Sequence, residues 1–185
     1  MTTQTEGGRR GLPWRLIGWG AVALILSLPL VLGAPWTLFD YVVAGALLGG
    51  AGLVLELVVR ASGSLAYRAG AGLAVAAAFL LVWVNGAVGF LGNEDNPANL
   101  MFAGVIAIAV LGSVIGGFKA KGMAWAMFVA AAAQVSVGVI AWTQGWTSPG
   151  DAGLYEVVMG TSIFSALWLL SGGLFWKAAD DSRRA

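Results

Sequence analysis

The chain contains no cysteine and no histidine. The first absence excludes disulfides, thiolate metal sites, iron–sulfur clusters and c-type haem attachment. The second excludes bis-His haem, His-ligated zinc or copper, and any Ser-His or Cys-His nucleophilic machinery within this chain. Charge is scarce as well. Only 10% of the 185 residues are Asp, Glu, Lys or Arg, where a soluble domain carries about 25%. What fills the chain instead is apolar: 59% of residues are hydrophobic, with 28 glycines. Water could not solvate such a surface, and lipid is the expected solvent. Abundant Gly suits helices that pack closely in lipid.

A helix needs about 20 apolar residues to cross a hydrocarbon core of about 30 Å. Six stretches meet this need, over 16–32, 38–59, 65–91, 97–118, 123–142 and 154–176. The runs are continuous, whereas barrel strands alternate over about ten residues. The expected fold is therefore all-α: one integral membrane domain over 1–185, with about six transmembrane helices arranged as three hairpins. The third stretch is the longest, and its Gly-rich end (Gly86, Gly89, Gly92) could unwind. The first resembles a signal peptide only superficially. Its apolar run exceeds an h-region, and Leu32-Gly33-Ala34 is a poor cleavage site. A retained anchor with short cytoplasmic tails is expected.

Charge placement threads the chain. Arg9, Arg10 and Arg15 precede helix 1, and Arg60 and Arg68 flank the 2–3 loop. Lys119 and Lys121 fill the 4–5 loop, and Lys177, Arg183 and Arg184 follow helix 6. These are all 10 basic residues, and every one falls on the same side. The positive-inside rule puts that side, with both termini, in the cytoplasm of a cell membrane. Asp40, Glu94, Asp95, Asp151 and Glu156 fall on the opposite side, and Glu6, Glu56, Asp180 and Asp181 on the basic one. Trp14, Trp19, Trp125 and Trp176 fall near one interface and Trp36, Trp142 and Trp146 near the other, as aromatic belts do.

Small residues recur at packing spacing in Gly45/Gly49, Gly112/Gly116 and Ala126/Ala130. Such pairs let helix backbones approach. Internal packing is their expected use; they permit a homo-oligomer without pointing to one.

Capping accounts for part of the polar content of the outer loops. Thr37-x-x-Asp40 reads as a capping box for helix 2, and Ser148-Pro149-Gly150-Asp151 as an opening turn for helix 6. The 3–4 loop exceeds what a cap requires. Asn85 lies inside helix 3, and Asn93-Glu94-Asp95-Asn96 follows the Gly-rich run, with Asn99 three places on. Carboxylate and amide oxygens are hard ligands, so a divalent cation at Glu94/Asp95 is one expectation. The loop lacks the spacing of an EF-hand, and a solvated turn is the competing reading. Glu156, beside Tyr155, is the second candidate, because an ionisable group inside a span is costly. Gln134 lies mid-span in helix 5 and should point inward to hydrogen-bond a neighbouring helix. Glu56 and Arg60 are spaced for a structural i,i+4 ion pair.

Asn96-Pro97-Ala98 resembles the Asn-Pro-Ala signature of aquaporins. That family needs a second such motif in its other half, and this chain has none. Glu94-Asp95 and Asn99 also depart from its pattern, so nothing is carried over from it.

These features lead to the expectation of a non-enzymatic accessory or subunit of a membrane complex. Its partners would be the lipid bilayer and another membrane protein, with no nucleic acid. The alternative is a small transporter, channel or sensor. It would bind a cation or polar solute at the acidic outer face, through Asn85, Asn93, Glu94, Asp95, Asn96, Asn99 and Glu156. An intramembrane enzyme ranks last, because no nucleophile–base pair is visible.

Overall fold

The computed structural model describes residues 14–87 and 89–184. Glu6, Arg9 and Arg10 lie outside the described residues. The described residues are all-helical: α1 (Trp14–Val31), α2 (Leu38–Ala61), α3 (Leu65–Ala87), a short 3₁₀ turn (Pro97–Leu100), α4 (Met101–Ile115), α5 (Ala120–Thr143) and α6 (Asp151–Arg184). Five of the helical segments are long and apolar enough to cross a membrane, and α1 is a shorter apolar helix. Large apolar side chains such as Ile115, Leu111, Val139 and Leu170 stay exposed. That pattern is ordinary against lipid and would aggregate in water.

The chain divides into two compact units, Met1–Leu53 and Val54–Ala185. In the smaller unit, α1 has 18 residues, about 27 Å of rise, slightly short of a hydrocarbon core. Pro29 removes a donor in its last turn. At α2 the expected capping box forms. The Thr37 amide and hydroxyl donate to Asp40 Oδ2 at 2.7 and 2.8 Å, and the Asp40 amide donates back to Thr37 Oγ1 at 3.3 Å. Trp36 packs edge-on against Tyr41, which adds a hydrophobic staple across the same turn.

In the larger unit, the end of α2 is tied to the start of α3. Arg68 donates to the carbonyls of Ser62 and Val59 at 2.6 and 2.8 Å, using a cation to close exposed helix carbonyls. Glu56 is buried and pairs with Arg60 at 2.5 Å, the i,i+4 ion pair expected.

α5 packs on both α4 and α6, and α6 packs in turn on α3. The most apolar stretch of α5 is 50% buried, more than that of any other span. Its sequence explains this. Ala124, Ala126, Ala130, Ala131 and Ala141 are buried and lose almost no side-chain entropy. At the α4–α5 turn the backbones nearly touch: a Cβ on Gly122 would stand 2.6 Å from Gly116 Cα. Gly112 likewise faces Ala126. Two of the expected small-residue pairs thus serve internal packing.

Helix ends differ from expectation for local reasons. α3 stops at Ala87 rather than 91, because Gly89 adopts a left-handed φ of 70°. α4 stops at Ile115 rather than 118, where Gly117 and Phe118 turn left-handed and the Phe118 amide donates back to Ser113. Tyr67 holds this turn by donating to the Phe118 carbonyl at 2.7 Å. α6 begins at Asp151, because Gly150 at φ 70° interrupts the expected Ser148–Asp151 turn. It then runs on to Arg184 instead of ending at 176. Its last turns are supported by Lys177–Asp181 and Asp180–Arg183 pairs, so the expected tail over 180–184 is helical.

Gly122→Ala should lower the melting temperature in detergent, by the equivalent of roughly 1–3 kcal/mol of overpacking. Gly104→Ala, where a Cβ would meet nothing within 4 Å, should leave it unchanged or raise it. Equal effects would show that the α4–α5 contact is not tight.

Candidate functional site

The 3–4 loop is held by its own asparagines. Asn99 Oδ1 accepts from the Phe90 and Leu91 amides at 3.0 and 2.8 Å, and its Nδ2 donates to the Asn93 carbonyl at 2.7 Å. Asn96 Oδ1 caps the 3₁₀ turn through the Ala98 amide. Its Nδ2 donates to the carbonyls of Leu91 and Trp146, joining this loop to the one between α5 and α6. Asn93 Oδ1 accepts from the Asp95 amide. These amides are committed to backbone groups that would otherwise be orphaned.

The consequence is a plug. Gly89 reverses the chain, and a Cβ there would stand 2.1 Å from the Asn93 carbonyl carbon. Phe90 and Leu91 then turn inward and are buried. Phe90 packs against Phe102 and Phe164 and fills the space over Gly160, where a Cβ would lie 1.9 Å from its ring. Glu94 and Asp95 remain exposed at the tip. Among the described residues, no group of three or more acids comes together to hold a metal ion. Of the loop residues singled out from sequence, Asn93, Asn96 and Asn99 act as internal braces, and Glu94 and Asp95 as solvated carboxylates.

The polar groups that lack partners lie inside the helices. Asn85 donates its Nδ2 to Leu81 O at 2.6 Å, which leaves its Oδ1 buried and unbonded. Glu156 Oε2 is also buried without a partner. The α3–α6 register places the two at one level. Gly70 meets Ser171, whose hydroxyl donates to the Gly70 carbonyl at 2.7 Å. Just beyond the far end of α3, Phe90 sits on Gly160, so the helices run antiparallel. Counting equal steps from the Gly70–Ser171 contact brings Asn85 to about the level of Glu156.

A second group lies between α5 and α6. Gln134 is fully buried with both side-chain heteroatoms unbonded, and Thr161 Oγ1, Ser165 Oγ and Trp168 Nε1 are likewise buried without partners. Contacts of Gly138 with Thr161 and of Gly172 with Phe128 set an antiparallel register. One helical step from Gly138 to Gln134 therefore matches the step from Thr161 to Ser165.

Sequence reasoning picked out Asn85, Glu156 and Gln134, but not Thr161, Ser165 or Trp168. Their i, i+4, i+7 spacing puts all three on one face of α6, a signal open to reading. The signal is weak, because Ser and Thr in membrane helices ordinarily bond back to their own carbonyls. Ser113 and Ser136 do so here, to Ala109 and Ala132 at 2.6 and 2.9 Å.

Asn99→Ala should release the plug. The expected cost is about 2–3 kcal/mol for two stranded amides and one carbonyl, with faster hydrogen exchange at the Phe90 and Leu91 amides. Glu94→Gln with Asp95→Asn should change neither stability nor exchange. A silent Asn99→Ala would refute the bracing role.

The chain matches no protein-family model, no curated protein and no solved structure.

Proposed function

We propose that this is a small, non-enzymatic multi-pass membrane protein that binds a cation or small polar solute between α3 and α6, as a transporter, channel or sensor would. The observation that carries this reading is that two buried, unpartnered oxygens, Asn85 Oδ1 and Glu156 Oε2, lie on helices that pack on each other, at about one level by residue count from the Gly70–Ser171 contact. A carboxylate oxygen inside an apolar bundle is costly without a donor or cation. An amide oxygen at about its level makes an all-acceptor pair, suited to a hard cation or an ammonium group. This relocates the binding role from the loop tip, where Glu94 and Asp95 are exposed, to the helices behind it.

Orientation follows from charge. In the larger unit, Arg60, Arg68, Lys119, Lys121, Lys177, Arg183 and Arg184 gather at one end of the antiparallel helices, and Glu94, Asp95 and Asp151 at the other. The positive-inside rule turns this basic end, with the C-terminus, toward the cytoplasm of a cell membrane, and Arg9, Arg10 and Arg15 in the sequence assign the N-terminus to the same side. The Asn85–Glu156 level then lies in the outer half of the membrane, with Phe90 beside it.

A second reading, an accessory subunit of a membrane complex, is favoured by α2. Its most apolar stretch is only 11% buried, which leaves a long face for lipid or for a partner helix. A protein that co-purifies at fixed stoichiometry from its own membrane would support it.

Calorimetric titration of the protein in nanodiscs with alkali, alkaline-earth and alkylammonium chlorides should find one saturable ligand class. Glu156→Gln and Asn85→Leu should each weaken it at least tenfold, and Glu94→Gln with Asp95→Asn should not. Binding that follows Glu94 and Asp95 instead, or no binding at all, would overturn the reading.

A further inference from the structure

We propose that Gln134, Thr161, Ser165 and Trp168 form a water-binding site between α5 and α6, deep in the bundle and separate from the Asn85–Glu156 pair. Gln134 is wholly buried, so its amide cannot reach out to lipid headgroups or bulk water. Trp168 is nearly as enclosed, at 1% exposure. Together the four side chains hold five buried heteroatoms without a protein partner: both of Gln134, Thr161 Oγ1, Ser165 Oγ and Trp168 Nε1. Leaving one such group unsatisfied costs about 1–3 kcal/mol, so five in one interface need an occupant.

The hydroxyls are not simply idle. Ser113 and Ser136 bond back to their own helices, but Thr161 and Ser165 do not. Thr161 instead aims at α5, with its Oγ1 2.4 Å from where a Cβ on Gly138 would stand. Gln134 lies one turn from Gly138 and is level with Ser165. Trp168 is one turn farther along the same face, about 4.5 Å deeper.

The chemistry of these atoms selects the occupant. Trp168 Nε1 and Gln134 Nε2 can only donate, Gln134 Oε1 can only accept, and the hydroxyls do either. None of the four side chains carries charge. A mixed set of donors and acceptors without a countercharge favours a neutral occupant that both donates and accepts. Buried water fits, since it typically makes about three bonds to otherwise unsatisfied polar groups. The site is closed toward the basic end. There the Ser171 hydroxyl is already bonded to Gly70 O, Phe128 fills the space at Gly172, and Phe175 is fully buried against Tyr67. Hydration thus ends blindly at Trp168 rather than continuing through the bundle.

The test is water-edited NMR on the full chain, ¹⁵N-labelled, in lipid nanodiscs. Trp168→Phe and Gln134→Leu assign the signals. The Gln134 side-chain amide and the Trp168 indole N–H should show direct magnetisation transfer from water. The indole proton should exchange in D₂O at least tenfold faster than the slowest backbone amides of α5. Thr161→Val with Ser165→Ala should reduce the water transfer to Gln134 several-fold while the backbone spectrum keeps its dispersion. No transfer to either group, or transfer from protons other than water, would overturn the proposal. So would a Trp168 indole proton as protected as the α5 amides. Because the site shares no residue with the Asn85–Glu156 pair, its outcome is independent of ion or solute binding there.

Discussion

The close approach of α5 to its neighbours sets the chemistry of the interior. An alanine- and glycine-lined helix lets α4 and α6 come in on two sides, and it buries more of its length than any other span. In lipid no hydrophobic force drives helices together, so contact geometry and hydrogen bonding must supply the association. Glycine supplies room for the first: Gly116 against Gly122, Gly138 under Thr161, and Gly160 and Gly172 beneath Phe90 and Phe128. The same closeness carries Gln134, Thr161, Ser165 and Trp168 away from any solvent. Tight packing and costly polar burial therefore have one origin in this bundle.

Much of this was legible in the sequence, and the limits of legibility are physical. Continuous apolar runs announce helices because every backbone polar group in lipid must be satisfied within its own segment. The Thr37–Asp40 box and the Glu56–Arg60 pair are local, and both form as spacing suggests. The small-residue pairs of α4 and α5 also land where helices meet. Helix ends were less legible, since they depend on single left-handed residues such as Gly89, Phe118 and Gly150. The loop was hardest. Composition at Asn93–Asn99 suits a ligand site and a braced turn equally well, and only the partners of each amide separate the two. Nothing local to Thr161, Ser165 or Trp168 shows whether a hydroxyl turns back to its own helix or toward a neighbour.

Asparagine has a different use at each depth. At the loop its amide satisfies backbone donors and acceptors and drives Phe90 into the bundle. In α3, Asn85 spends its donor on Leu81 O and turns a bare oxygen inward. The loop therefore acts on the proposed site indirectly, through Phe90, which packs over Gly160 one helical turn from Glu156. The acidic tip is exposed, and under the proposed function binding falls to the oxygens behind the plug.

The proposed function depends on what Asn85 Oδ1 and Glu156 Oε2 bind. The most direct measurement is a high-resolution density map of the protein in lipid nanodiscs, recorded with the ligand class identified by titration. Density bridging these two oxygens, with none ordered at Glu94 and Asp95, is the predicted result. Both oxygens bonded to other groups of the protein, with the ligand held at the loop tip, would contradict it.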